Sequence, residues 1–215
     1  MQIIQYDGRS ELEIERAIFD MDGTLYDFVS TNGLAGFENS ELCKRVNQNA
    51  KTMIETLTDE DPIKVLNEAR QDTVGISAYL GRAFGVNRND YFETAWCVDP
   101  DGVIVPDIKL MSRLKELKDS GIRLTLLTAA PLSWQRKVSS YLGFQAVFDA
   151  VYTGDQFDLK DTVFQTLANE GNPSAVLSIG DQLHSDITPA LRAGMNAVLV
   201  DGPIDTNNVI ELLLR

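Results

Sequence analysis

Two aspartates stand one residue apart in the run Phe19-Asp20-Met21-Asp22-Gly23-Thr24-Leu25. In an extended segment, side chains two residues apart point the same way. Carboxylates held that closely repel each other unless a cation joins them or one keeps a proton. A second acidic pair, Asp181 and Asp186, stands in Gly180-Asp181-Gln182-Leu183-His184-Ser185-Asp186. Hard oxygen donors without thiol or imidazole favour magnesium over zinc. A site of this kind draws in a phosphate ester and withdraws charge from its oxygens. Each group alone has a bland reading: a solvated turn for the first, a helix start with Ser185 or Asp186 near the cap for the second. Both occur in one chain, each directly after a short apolar run, and that weighs against the bland pair.

Those runs are the elements that must position the carboxylates. Ala17-Ile18-Phe19 ends at Asp20, Leu124-Thr125-Leu126-Leu127 at Thr128, Val176-Leu177-Ser178-Ile179 at Gly180-Asp181, and Ala197-Val198-Leu199-Val200 at Asp201. Brief apolar runs without alternation suit strands buried on both faces of a parallel sheet. Helical patterns lie between them. Leu110, Met111, Leu114 and Leu117 share one face after Pro106, and Gly121 stops that helix. Trp134, Val138, Tyr141 and Leu142 share another, between Pro131 and Gly143. Residues 161–170, 185–193 and 206–214 read as three more helices. Strand alternating with helix predicts an α/β fold with a doubly wound, mostly parallel, Rossmann-like sheet. Ligands in such sheets sit at the carboxyl ends of the strands, where Asp20, Asp22, Thr128, Asp181 and Asp186 all fall.

Residues 27–105 break the alternation. Helical patterns cover roughly 36–58, 61–73, 75–85 and 88–97, with no convincing strand run. The expected organisation is a core in two parts, 1–26 and 106–215, with a helical cap subdomain over 27–105. Extra packing and a lid over the sheet's carboxyl edge are both open as its purpose.

The residues at 19–25, with Leu126-Leu127-Thr128, Lys160 and the 180–186 run in that order, resemble the haloacid dehalogenase-like phosphohydrolase superfamily. The resemblance spans 16–26 and 107–202, and the helical insert lies between the first and second motifs, where that family carries a cap. It implies that Asp20 is a nucleophile forming an aspartyl-phosphate and that Asp22 protonates the leaving group, then activates water. It implies that Thr128 binds a phosphoryl oxygen and that Lys160 holds Asp20 and the phosphate together. Asp20, Asp181 and the backbone carbonyl of Asp22 would bind Mg2+, with Asp186 beside it. Two features depart from the family's pattern. Lys160 is followed by Asp161 where proline is frequent, and Thr128 by Ala129 where asparagine is frequent. Asp155 and Asp158, close by in sequence, are either ion-pair partners of Lys160 or merely surface charges.

Composition narrows the partners. The 215 residues are 44% hydrophobic, enough for a sizeable core, and 19 Lys+Arg against 32 Asp+Glu leave a net charge of −13. That balance argues against nucleic acid and against an anionic membrane surface as partner. A small phosphorylated metabolite is not excluded, because a metal ion and one lysine reverse the field locally. Cys43 and Cys97 form no metal or disulfide framework, the N-terminal run lacks a leader pattern, and a cytoplasmic setting is expected. His184 reads as solvent-facing, Tyr91 and Trp96 as core of the insert, and Tyr26, Asp27 and Asn32 as pocket-lining or hinge residues. Lys44, Arg45, Lys51, Arg70, Arg82 and Arg88 are insert cations that either meet an anionic group or are simply solvated. The expected activity is a magnesium-dependent phosphatase. The rivals are a sugar phosphomutase on the same scaffold and, from another class, a phospho-aspartate signalling or binding domain.

Overall fold

The computed structural model describes residues 2–4, 13–73 and 75–215; the N-terminal run read for a leader falls largely outside them. The strands are β1 (Gln2–Ile4), β2 (Arg16–Phe19), β3 (Tyr26–Phe28), β4 (Ile104–Pro106), β5 (Arg123–Leu127), β6 (Ala150–Tyr152), β7 (Val176–Gly180) and β8 (Asn196–Leu199). The helices are α1 (Glu41–Leu57), α2 (Pro62–Arg70), α3 (Ile76–Phe84), α4 (Arg88–Ala95), α5 (Ile108–Asp119), α6 (Leu132–Leu142), α7 (Lys160–Ala168), α8 (Thr188–Arg192) and α9 (Pro203–Leu213). One sheet runs β1-β8-β7-β2-β5-β6. Its strands β2, β5, β6, β7 and β8 are parallel, and β1 is antiparallel to β8 at the edge. The expected α/β class and mostly parallel sheet are what the chain forms.

Both faces of the sheet are covered, which is why its strands read as unbroken apolar runs. Phe19, Leu124, Leu126, Leu177, Ile179 and Val198 face one side, packed with α5, α6 and α9. Ile18, Leu127, Val176 and Ala197 face the other, with Val163, Phe164 and Leu167 of α7 against them. In α5 the Asp107 carboxylate accepts from Leu110 N at 3.0 Å, capping the helix whose Leu110, Met111, Leu114 and Leu117 are buried. Along α6, Trp134, Val138 and Leu142 are buried, but Tyr141 is 45% exposed. Its position leans off the buried stripe, so the expected four-residue face is really three.

Between β3 and β4 lie four described helices, with α1 packed on α2 and α4, α2 on α3, and α3 on α4. Ser40 starts α1 by accepting from Cys43 N, and Leu42, Val46, Ala50 and Ile54 line its buried face at helical spacing. The segment is not helix alone: β3 and β4 pair antiparallel at its two ends, Tyr26 opposite Pro106. Three-residue strands are too short to show a period, and their partner is supplied by the far end of the insert. No helix among the described residues is long and apolar enough to cross a membrane.

One buried hydroxyl joins the far end of the chain to the loop after the first acidic pair. Thr206 of α9 donates to Thr24 O at 2.9 Å, with Gly202 O 3.2 Å away. Thr206→Val keeps the volume and leaves Thr24 O without that donor. It is expected to cost about 1–3 kcal/mol, read as a lower urea midpoint with an unchanged m-value; an unchanged midpoint would show that the bond contributes nothing.

Candidate active site

The site forms where β2 and β7 end side by side. Asp20 N donates to Ile179 O at 2.9 Å, so the first carboxylate leaves the sheet in register with β7. The chain then turns on Gly23, whose φ of +79° is open to glycine. A methyl at Gly23 would lie 2.5 Å from Asp181 Oδ2, and one at Gly180 would lie 2.5 Å from the Asp186 carboxylate. Both glycines are therefore small because the acids crowd them. After β7 the chain makes a single π-type turn, Leu183–Ile187, before α8. That turn points Asp186 back, so that its Oδ2 accepts from Gln182 N at 3.0 Å.

Lys160 opens α7 and reaches into this group. Its Nζ donates to Asp20 Oδ1 and to Asp186 Oδ1, each at 2.6 Å, and all three side chains are at most 6% exposed. Of the two readings of Asp155 and Asp158, the one that pairs them with Lys160 does not hold. Asp155 instead accepts from Leu132 N at the start of α6 and from Thr153 Oγ1, and Asp158 pairs with Arg88. The burial of Lys160 draws it inward, beyond the reach of these more exposed acids.

Carboxylate oxygens of Asp20, Asp181 and Asp186 lie within 4.8 Å of one another. One ammonium against three carboxylates leaves negative charge in a buried place. Burial pushes the Asp20 carboxyl well up; Lys160 opposes this, while Asp186, Asp22 and Asp181 add to it. Burial, then Asp186, raises Asp181 to about 7. Burial works against the Lys160 ammonium, but Asp20 and Asp186 more than offset it and hold the lysine protonated. Asp181 Oδ1 is buried without a hydrogen-bond partner. Oxygen-only donors, excess negative charge and an orphaned acceptor fit a hard divalent cation such as Mg2+.

Asp22 turns to a different set of partners. Tyr26 Oη donates to its Oδ1, Trp134 Nε1 donates to the same oxygen at 3.0 Å, and Thr128 Oγ1 donates to Oδ2 at 3.1 Å. Trp134 Nε1 also lies 3.1 Å from Tyr26 Oη. Burial raises the Asp22 carboxyl, and the three donors partly counter it. The structure thus brings Asp20, Asp181, Asp186 and Lys160 into one group and Asp22 with Thr128 into a second beside it. Tyr26 belongs to that second group, deeper than a pocket-lining position. Trp134 was legible only as an apolar helix face; its indole N–H had no sequence signal. His184 is exposed, and Tyr91 is buried with Trp96 half-buried. Asn32 bonds within its own loop, to Leu34 N and Asn39. Asp27 lines a cleft of about 390 Å³ with Gly23, Phe28, Asp181 and Asp201.

The sheet, the four acids and the lysine define a hydrolase class, and the sequence profile agrees. The profile for haloacid dehalogenase-like hydrolases matches residues 14–194, and the chain belongs to that family. Among curated proteins no sequence matches. Solved structures are similar at low identity. A HAD phosphatase from Thermococcus onnurineus is 20% identical, with a TM-score of 0.58 over 87% of this chain and 86% of that one. A predicted phosphoglycolate phosphatase from Haemophilus somnus is 17% identical, with 0.56 over 91% of each. CbbY from Rhodobacter sphaeroides, in complex with phosphate, is 18% identical, with 0.59 over 88% and 87%.

The titration of Asp181, faced by Asp20, Asp22, Asp186 and Lys160, tests the cation fit. Its carboxyl lies at about 7 in the folded chain without a cation, against an ordinary 3.8. The folded chain therefore holds the extra proton between those values, and stability falls as pH rises through that window. A bound cation favours the ionised carboxyl and so opposes the shift. Magnesium is expected to raise the thermal midpoint of EDTA-treated protein more at pH ~7.5 than at pH ~5. Equal shifts at both pH values would count against binding at these carboxylates.

Proposed function

We propose that the chain is a magnesium-dependent phosphatase acting on a small phosphorylated metabolite through a phosphorylated Asp20. The observation that carries the reading is the division of labour between Asp20 and Asp22. Lys160 occupies Asp20 Oδ1, and no hydrogen bond to Asp20 Oδ2 is seen among the described residues. That oxygen is the one available to attack phosphorus. Asp22, two residues on, is held by hydroxyl and indole donors rather than by the ammonium.

In the proposed sequence Asp20 Oδ2 bonds to phosphorus as the ester oxygen leaves, and Asp22 gives that oxygen its proton. Water then attacks the aspartyl-phosphate, Asp22 takes the water's proton, and inorganic phosphate departs with Asp20 restored. Lys160 stays protonated throughout and balances charge on Asp20 and the phosphoryl oxygens. The Thr128 hydroxyl can turn from Asp22 to a phosphoryl oxygen. Magnesium, held by Asp20, Asp181, the Asp22 carbonyl and, beside them, Asp186, would supply the remaining positive charge against the phosphoryl group.

Residues 27–105 serve in this reading as a cap over the carboxyl edge of a core made from 1–26 and 106–215. Its attachment supports that role: Trp96 meets Trp134 with ring centroids 6.2 Å apart, and Arg88 donates to Phe157 O at 2.8 Å, three residues before Lys160. The phosphatases among the similar structures support the ester class. The net charge of −13 favours a small substrate over nucleic acid or a membrane surface, and the unpaired Cys43 and Cys97 suit a cytoplasmic setting.

Asp20→Asn is expected to lower kcat on the order of 10⁴-fold or more with circular dichroism unchanged; retained turnover would reject a covalent route through Asp20. Asp22→Asn separates the two steps. On an alkyl phosphate it is expected to cost about 10²–10⁴-fold. With p-nitrophenyl phosphate, whose leaving group needs little protonation, the phospho-enzyme should accumulate in rapid-quench mass spectrometry. Equal slowing of both substrates with no trapped phospho-enzyme would make Asp22 structural. Tyr26→Phe should show the same leaving-group dependence at about a tenth of the effect or less, since it removes one donor of three.

A further inference from the structure

A second cleft, of about 480 Å³, lies between α1 and α2, and none of the residues around the acidic cluster lines it. Three of the insert cations converge on it: Lys44, Lys51 and Arg70. The other flagged cations are occupied elsewhere in part: Arg82 pairs with Asp72 and Arg88 with Asp158. Lys44 pairs with Glu41, its neighbour one turn back. Among the described residues, neither Lys51 nor Arg70 has a carboxylate within ion-pair distance. Arg70 is instead steadied by Asn67, whose Oδ1 accepts from it at 3.0 Å.

The rest of the lining favours the same kind of ligand. Asn47, Gln48 and Asn67 supply carboxamides, and Glu38 is the single acid. Ser40 and Cys43 place the positive end of the 17-residue α1 at the rim. Ile63 and Leu66 provide an apolar edge. In a chain of net charge −13, Lys51 and Arg70, with Lys44 shared with Glu41, outnumber the one lining acid Glu38 in a concave place. Cations without partners keep their charge available to an incoming anion, and a fixed arginine beside amide donors suits oxyanion geometry.

We propose that this cleft binds a compact polyanion bearing phosphate or carboxylate groups, as a site separate from the acidic cluster. The separation follows from the lining. Thr31, Glu38 and Ser40 of the connecting segment face this cleft, whereas Ser30 and Gly33–Gly36 face the cleft beside Asp181. The segment is closed on itself by the Ser30–Ser40 bridge and by Thr31 N donating to Asn39 O at 2.8 Å. A ligand here would sit on the back of the segment whose front borders Asp181, the position of an effector.

The test is equilibrium dialysis of the full chain, stripped of metal and then freed of chelator, with labelled pyrophosphate and, separately, labelled citrate. Without a cation the acidic cluster repels both, so this cleft is left to bind them. Saturable binding of one or both probes is expected, and which one binds names the oxyanion. The double variant Lys51→Ala/Arg70→Ala should weaken it by about tenfold or more, as charge-assisted contacts are lost. The double variant Lys64→Ala/Arg82→Ala, in α2 and α3, changes the net charge equally away from the cleft lining and should leave it unchanged. Bound probe should also slow alkylation of Cys43 relative to the exposed Cys97. No saturable binding of either probe, equal weakening in both double variants, or unaltered Cys43 alkylation with probe bound would overturn the proposal. None of these readouts depends on turnover, so they stand apart from the phosphatase assignment.

Discussion

The Lys160 ammonium held between Asp20 and Asp186 is the contact on which the site is built. Its three members come from the end of β2, the start of α7 and the π-type turn after β7. Nothing in local sequence brings them together; the parallel register of β2 with β7 does, pairing Phe19 with Ile179. Burying such a triad is costly unless every charge finds a partner in good geometry. The 2.6 Å bonds meet that condition for the lysine and for one oxygen on each acid. The glycines at 23 and 180 follow from it, since the acids already fill the space their side chains would take. So does the π-type turn, because a regular helical start would direct Asp186 elsewhere.

A second set of contacts ties the helical segment to the other acid. Tyr26, Phe28, Phe37, Trp96 and Trp134 form a chain of ring contacts with centroids 5.7, 5.8, 6.0 and 6.2 Å apart. The hydrogen bond from Trp134 to Tyr26 closes that chain into a loop. The two members at its ends, Tyr26 and Trp134, both donate to Asp22. Aromatic pairs of this geometry are each worth about 0.5–1.5 kcal/mol beyond their buried area. Moving the helices relative to the core would break Trp96 from Trp134 and loosen a direct partner of Asp22. The position of the helical segment and the orientation of one carboxylate are therefore a single packing problem.

Much of this was legible in the sequence because the groups that carry charge follow directly on buried strands. Four apolar runs located β2, β5, β7 and β8 and, with them, Asp20, Thr128 and Asp181. The order of the elements located Lys160 only by resemblance, since a lysine before a helix has no signature of its own. The resemblance also pointed to Asp20 as its partner; Asp186 was placed only beside the cation, and of the two readings of Asp155 and Asp158 the one that pairs them with Lys160 is not what forms. The short strands β3, β4 and β6 were invisible because three residues show no periodicity. Trp134 was visible as part of an apolar helix face and Tyr26 as a pocket-lining or hinge residue. Their polar atoms acquire meaning only when the fold aims both at Asp22, 4 and 112 residues away in the chain.

Asp20 and Asp22 are the same residue type two positions apart, and their surroundings make them different chemically. An ammonium can only donate, so Lys160 favours the charged form of Asp20 against the burial that raises its carboxyl, and that form is the nucleophile of the proposed mechanism. The partners of Asp22 are of another kind. The Tyr26 and Thr128 hydroxyls both donate and accept, and each can rotate its hydrogen away when the carboxyl gains a proton. Trp134 can only donate, but it lies 3.1 Å from Tyr26 Oη as well as 3.0 Å from Asp22 Oδ1. Its N–H can pass from one oxygen to the other as Tyr26 turns from donor to acceptor. Asp22 can then keep its contacts with these neighbours whether or not it carries a proton. In the proposed mechanism Asp22 gives a proton in one step and takes one in the next, which needs that tolerance, and a lysine in place of Tyr26 or Thr128 would remove it.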